Sequence, residues 1–216
     1  MVRRIVCGVD EAGRGCVVGP LVISAVAVEK QDVVRLRELG VADSKTLTAR
    51  RRRELYEAIL AEFKTKFVVI EPWDVDRSLR GLNGPGLNSL EYLNIAKLVN
   101  VLRPSEVFVD SPDRNTRRAR EMILMHLKNP VKLCCMIHAD RKKPVVAAAS
   151  IVAKVVRDMR VEELRKVYGD FGSGYPSDPK TRRWLRAKLE NRTLPPYVRR
   201  GWKTLDRLVQ TRIDDF

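Results

Sequence analysis

An apolar run, Ile5-Val6-Cys7-Gly8-Val9, ends in two adjacent acids, Asp10 and Glu11, and passes at once into the small basic turn Ala12-Gly13-Arg14-Gly15. Five apolar residues bounded by a turn read as a buried strand, and carboxylates at a strand's end are spaced to hold Mg²⁺ or Mn²⁺ through oxygen ligands. Gly13 and Gly15 lack side chains, so their amides can approach a sugar or phosphate closely, and Arg14 adds positive charge. An isolated Asp-Glu pair more often just opens a solvated turn. The rest of the chain decides between the two readings.

Two further apolar runs end in the same way. Val107-Phe108-Val109 closes on Asp110, just before Ser111-Pro112, and the run Leu133 to Ile137 is followed by Asp140 and the basic Arg141-Lys142-Lys143. Adjacent strands in a sheet lie about 5 Å apart, close enough for such acids to share metal ions. Two divalent ions about 4 Å apart can activate a water and stabilise the leaving oxygen of a phosphodiester. Any one of these aspartates could be a turn former; three strands ending alike argue for a site.

The charge balance agrees. Lys+Arg 42 against Asp+Glu 27 gives +15, which favours a polyanionic partner and salt-sensitive binding, although a ribosome-associated protein would show a similar excess. The run Arg50-Arg51-Arg52-Arg53 opposes the dipole at a helix start and reads either as a solvated face or as a phosphate contact. Cys7, Cys16, Cys134 and Cys135 include no C-x-x-C pair, which argues against a zinc site. Cys7, Cys134 and Cys135 are expected as buried reduced thiols, as suits a cytoplasmic protein. His126 and His138 are expected in ordinary surface or packing roles. No signal-peptide core and no apolar stretch near 18 residues is present, so a soluble protein without membrane contact is expected.

Composition along the chain predicts strands at 4–10, 19–29, 66–70, 106–110 and 131–137. Thr48 is placed to cap a helix that turns Leu55, Ile59, Leu60 and Phe63 to one face. Further helices are predicted over 88–102, 117–127, 144–168, 180–189 and 203–210. Strands first, then alternating helix and strand, indicate a mixed α/β sheet covered by helices. With 216 residues and 44% hydrophobic content, the chain can bury one full core and carry an appendage.

Six ordered segments together resemble ribonuclease HII, the type 2 ribonuclease H family, most closely its archaeal members. They are Gly8 to Gly15 with Val18-Gly19-Pro20-Leu21-Val22, then Asp43-Ser44-Lys45-Thr46-Leu47, Val109-Asp110-Ser111, Ala139-Asp140, Pro144 to Lys154, and Gly172 to Pro179. The resemblance covers almost the whole chain. Cys16 departs from it, standing where many relatives have proline, which bears on loop rigidity rather than on the chemistry.

The resemblance implies a ribonuclease H-like α/β fold, a five-stranded mixed sheet flanked by helices, with a catalytic core over 1–168 and a C-terminal helical substrate-binding appendage over 169–209. It implies an endoribonuclease that cuts the RNA strand of RNA·DNA hybrids, and cuts 5′ of single ribonucleotides in duplex DNA, leaving a 3′-hydroxyl and a 5′-phosphate. Asp10, Glu11, Asp110 and Asp140 match the family's four metal-binding carboxylates, which bind two divalent ions, Mg²⁺ or Mn²⁺, with substrate. Gly13, Arg14 and Gly15 match the loop that contacts the 2′-hydroxyl, the group that distinguishes RNA from DNA. Tyr175 matches the tyrosine that packs on the sugar at the RNA-to-DNA junction, and Lys45 and Lys142 fall near the substrate backbone; Ser150 and Lys154 are expected to support packing. A type 3 enzyme would carry an extra N-terminal domain, whereas the first acidic motif here falls at residue 10. A non-catalytic hybrid-binding protein would suit the charge equally, but mutually repulsive acids are costly to bury without a cation.

The last seven residues, 210–216, resemble the tail motif that binds the DNA sliding clamp, with Gln210, Ile213 and Phe216 as its contacts. The enzyme is expected to act as a monomer.

Overall fold

The computed structural model describes residues 4–41, 47–79 and 86–214, with side chains as far as Leu208. β1 (Ile5–Ala12) and β2 (Leu21–Glu29) form an antiparallel pair in register from Ile5 opposite Glu29 to Ala12 opposite Val22. β3 (Lys64–Ile70), β4 (Glu106–Asp110) and β5 (Lys132–Met136) complete a five-stranded sheet of order β3-β2-β1-β4-β5. β4 is parallel to both β1 and β5, so these three strands end at the same edge of the sheet.

Position in the sheet explains composition. β1 and β2 are buried along nearly their whole length, as apolar strands covered on both faces must be. β3 is an edge strand that exposes Lys64 and Lys66, charges that discourage pairing with another chain. β5 is the other edge, and for that reason Cys134 and Cys135 are half-buried rather than fully buried as expected; only Cys7 and Cys16 are fully enclosed.

The helices are α1 (Val33–Glu38), α2 (Ala49–Glu62), α3 (Pro72–Leu79), α4 (Gly86–Leu102), α5 (Thr116–Leu124), α6 (Pro144–Tyr168), α7 (Pro179–Glu190) and α8 (Lys203–Asp214). Thr48 caps α2 by accepting from Arg51 N at 3.2 Å. Leu55 and Ile59 of α2 are buried, whereas Leu60, expected beside them, faces solvent. The arginine run is tied up locally: Arg50 and Arg51 pair with Glu54, and Arg51 and Arg52 donate to the carbonyls of Leu39 and Leu47. α5 ends at Leu124, three residues short of its expected limit.

Sequence periodicity did not reveal α1 or α3. α1 has six residues, too few to show a period. α3 buries Asp76 and Ser78 along with Val75, a polar face that hides the helical pattern. The buried Asp76 carboxylate accepts from the amides of Arg200 (2.8 Å) and Gly201 (2.9 Å).

The chain divides into two compact units. One comprises Met1–Ala12, Val22–Val68 and Asn88–Val156; the other comprises Gly13–Leu21, Val69–Leu87 and Arg157–Phe216. The first holds most of the sheet with α2, α4, α5 and the first half of α6. The second is built on an apolar cluster of Val17, Val18, Val161, Leu164, Phe171, Leu185, Val198 and Leu205. Among the described residues no helix is long and apolar enough to cross a membrane.

Candidate active site

Sheet pairing brings the acids together in the first unit. Val9 pairs with Val109 in parallel register, so the next residues, Asp10 and Asp110, lie at one level on neighbouring strands, Asp110 at the end of β4 and Asp10 inside β1, which runs two residues past its expected limit at residue 10. β5 pairs with β4 as far as Met136, and four residues on Asp140 lies in a short 3-10 turn, Ala139–Arg141. His138 enters that turn in the left-handed conformation, φ 55°, and its side chain is exposed. The turn points the Ala139 amide at Asp110, whose Oδ1 accepts it at 3.2 Å.

Asp10 is only 7% exposed, and Asp140 is buried as well. Burial, reinforced by the Asp110 charge, pushes the Asp10 carboxyl up to about 7, against hydrogen bonds from the Ser150 side chain and the Glu11 amide and the charge of Lys154. Asp110 is raised by burial and by the neighbouring Asp140 charge, while the Ala139 amide pulls it down. Glu11 is half-buried and follows Asp10, whose Oδ1 accepts the Glu11 amide at 2.7 Å. Acids held together against their own repulsion form a site that a cation would relax.

Helix α6 reaches this site because its opening is made of small residues. A methyl added at Gly8 of β1 would fall within 3.0 Å of the Val145 carbonyl and the Val146 nitrogen, so backbone packs on backbone there. Ser24 of β2 donates to the Ala149 carbonyl at 2.6 Å, fixing the same contact. The approach sets the Ser150 side chain against Asp10. Ser150 and Lys154, expected to support packing, thus act on the Asp10 carboxyl; their one-turn spacing on the helix was the only signal in the sequence.

Among the described residues no three of His, Cys, Asp and Glu stand close enough together to hold a metal ion between them. The donor set nevertheless fits Mg²⁺ or Mn²⁺: it is all oxygen, and such ions keep several waters and take only some ligands from the protein, the rest from substrate phosphate. Lys142 is exposed just after the Asp140 turn. Lys45 lies outside the described residues.

The second unit holds the glycine loop with Tyr175. Gly13 adopts φ 82°, and the Gly174 carbonyl accepts the amides of Val17 (2.8 Å) and Val18 (3.1 Å). Gly174 is required, since a methyl there would meet Val18 O at 2.5 Å. Tyr175 is half-buried with its ring 4.9 Å from the Arg157 guanidinium; burial raises its hydroxyl pKa, while Arg157 and a hydrogen bond from the Gly13 backbone oppose the rise. Cys16 Sγ donates to Gly13 O at 2.9 Å, so a thiol hydrogen bond restrains the loop. Asp178 caps α7 and accepts from the Ser173 amide at 2.6 Å, and these bonds hold its carboxyl well below the usual range. Arg157 and Arg199, both buried here, were not anticipated, because arginine is ordinarily a surface residue.

Gln210 and Ile213 lie on α8, which runs without a break to Asp214 where a short turn was expected beyond 210. Their side chains, and all of Phe216, are outside the described residues.

The family model described as Ribonuclease HII matches residues 7–205. Ribonuclease HII of Caldivirga maquilingensis is 43% identical over 215 residues, covering 98% of each protein. The structure of the PCNA:RNase HII complex from Archaeoglobus fulgidus superposes with a TM-score of 0.88 at 40% identity, over 98% of this chain and 100% of that one. The ribonuclease H2 of Pyrococcus horikoshii gives a TM-score of 0.88 at 36% identity, over 98% and 100%.

Proposed function

The chain belongs to the ribonuclease HII family, and from that premise we propose that it cleaves the RNA strand of RNA·DNA hybrids and cuts 5′ of single ribonucleotides in duplex DNA. The observation that carries this reading is the placement of Asp10 and Asp110 at one level on paired parallel strands, with the Asp110 charge acting on Asp10 and the Asp140 charge acting on Asp110. Asp10, Glu11, Asp110 and Asp140 would hold two divalent ions. Bound there, the ions would lower the pKa of an attacking water and stabilise the leaving 3′-oxygen. The Ser150 side chain orients Asp10, the Ala139 amide orients Asp110, and no side chain is needed as a nucleophile.

In the same reading Gly13, Arg14 and Gly15 contact the 2′-hydroxyl, Tyr175 packs on the sugar, and Lys45 and Lys142 contact the backbone. Residues 169–209 act as a substrate-binding appendage, in which Lys180, Arg182, Arg183, Arg186 and Lys188 of α7 supply phosphate contacts. The test is cleavage of two substrates, a continuous hybrid and a duplex with one ribonucleotide, with Mg²⁺, with Mn²⁺ and with chelator. Cutting of an all-DNA duplex, or cutting that survives chelation, would refute the proposal.

Tyr175→Ala is expected to reduce cutting of the single-ribonucleotide duplex about tenfold, in line with the loss of one ring stack. Total binding should change much less, because lysine and arginine contacts to phosphate persist. Equal losses in cleavage and in binding would mean that Tyr175 does not read the junction.

The proposed clamp contact rests on the motif at 210–216 and on the Archaeoglobus fulgidus protein having been seen in a complex with PCNA. Removal of residues 212–216 should leave cleavage of short duplexes unchanged and abolish binding to a sliding clamp. Calorimetry on the full-length and truncated proteins decides; equal affinity for both, or none for either, excludes the tail.

A further inference from the structure

Arg199 is completely buried, at 0% exposure, with the Asp76 charge acting on it but no hydrogen bond to that carboxylate. A charged group so placed is costly unless its donors are satisfied. They are satisfied by the glycine loop. Arg199 Nη2 donates to Gly13 O at 2.8 Å, Nη1 to Arg14 O at 2.8 Å, and Nε to Gly19 O at 3.1 Å. The planar guanidinium therefore grips three carbonyls of one loop, a geometry for which an ammonium has no equivalent.

The grip has a consequence on the loop's other side. In a trans peptide the carbonyl and the following amide point in opposite directions. Drawing the Gly13 and Arg14 carbonyls toward Arg199 turns the Arg14 and Gly15 amides away from it. Gly15 is exposed, and a methyl built on it would meet no atom within 4 Å, so that side of the loop is open. Behind the loop Arg157, 6% exposed, places a second guanidinium beside Gly13, with its Nη2 bonded to Ser173 O at 2.5 Å. The buried Arg199 charge at the Gly13 and Arg14 carbonyls polarises these peptides and favours an electron-rich oxygen at their amides.

We propose that Arg199 is the positioning residue of ribose recognition: it touches no substrate, and by holding the Gly13 and Arg14 carbonyls inward it presents the Arg14 and Gly15 amides to the 2′-hydroxyl. The inference rests on the reading of the loop given above and adds the residue that sets its geometry.

Arg199→Lys keeps the charge and loses the fork. Binding is measured in Ca²⁺, without turnover, to a duplex with one ribonucleotide and to the same duplex in all-DNA form. The expected result is a preference for the ribonucleotide duplex reduced about tenfold, equivalent to one lost hydrogen bond, with all-DNA binding unchanged within about twofold and a cooperative melt retained. A general loss of structure would weaken both duplexes together. A folded Arg199→Lys with wild-type preference overturns the proposal. A wild-type protein that fails to distinguish the two duplexes refutes instead the reading of the loop. If Arg199→Lys does not fold, Arg199→Gln replaces it, and if neither folds the Gly15 amide resonance of the wild type decides. It must shift on adding the ribonucleotide duplex and not the all-DNA duplex; no difference between the two overturns the proposal.

Discussion

Replacing Asp110 by asparagine is expected to lower cleavage about a thousandfold while leaving the fold intact. The amide has nearly the shape of the carboxylate but removes one negative ligand. If the ions supply several kcal/mol of charge stabilisation, losing about 4 kcal/mol of it corresponds to roughly three powers of ten in rate. The same substitution carries an opposite signature in stability. Asp10 and Asp110 both have pKa values above the ordinary range, so their ionisation opposes folding. For Asp10 the stabilisation that comes from binding a proton more tightly in the folded state is fully present below the unfolded value of 3.8 and is lost as pH rises through about 7. At pH 8 without divalent ions Asp110→Asn should therefore melt no lower than the wild type, and added Mg²⁺ or Mn²⁺ should raise the wild-type melting temperature more than that of the variant. Rate measurements at saturating substrate, with thermal melts with and without metal, check both halves. A variant that turns over near the wild-type rate would remove Asp110 from the site.

Gly8→Ala is the corresponding test of the packing. Its methyl would collide with the backbone of Val145 and Val146, which has no rotamer to adopt, so α6 must move off the sheet. Overpacking of this kind costs about 3 kcal/mol or more, a fall of roughly 10 °C in melting temperature for a chain of this size. Displacing α6 also draws Ser150 from Asp10, so activity should fall even below the melting transition. Gly15→Ala serves as the control for stability: the space around Gly15 is open, and its melting temperature should stay within about 2 °C of wild type. If the two variants melt alike, the close contact at Gly8 is not what holds α6.

Much of the site was legible because it depends on local pattern. A strand announces itself by a short apolar run, and an acid at or just past the end of that run stands out from it, so Asp10, Glu11, Asp110 and Asp140 could be singled out one by one. All five strands were legible for the same reason, and so were the six longest helices, α2 and α4 to α8. Thr48 was legible as a cap because capping is a contact between near neighbours. The short α1 and the polar-faced α3 were not, since neither shows an apolar period.

Only the tertiary structure decided which ends meet. The order β2-β1-β4-β5, with β1, β4 and β5 parallel, brings acids from three separate segments within reach of one another, so that the Asp110 charge raises the pKa of Asp10 and the Asp140 charge raises that of Asp110. It made β5 an edge and so left Cys134 and Cys135 half-buried. It gave Ser150 a partner 140 positions earlier in the chain, and Arg199 partners at Gly13, Arg14 and Gly19. Such roles leave no local trace, because a serine in an apolar helix or an arginine near a chain's end looks the same whether it faces water or fills a buried hydrogen-bonding position. Burial and pairing across long separations are properties of the packed chain, and they determine what a polar side chain does.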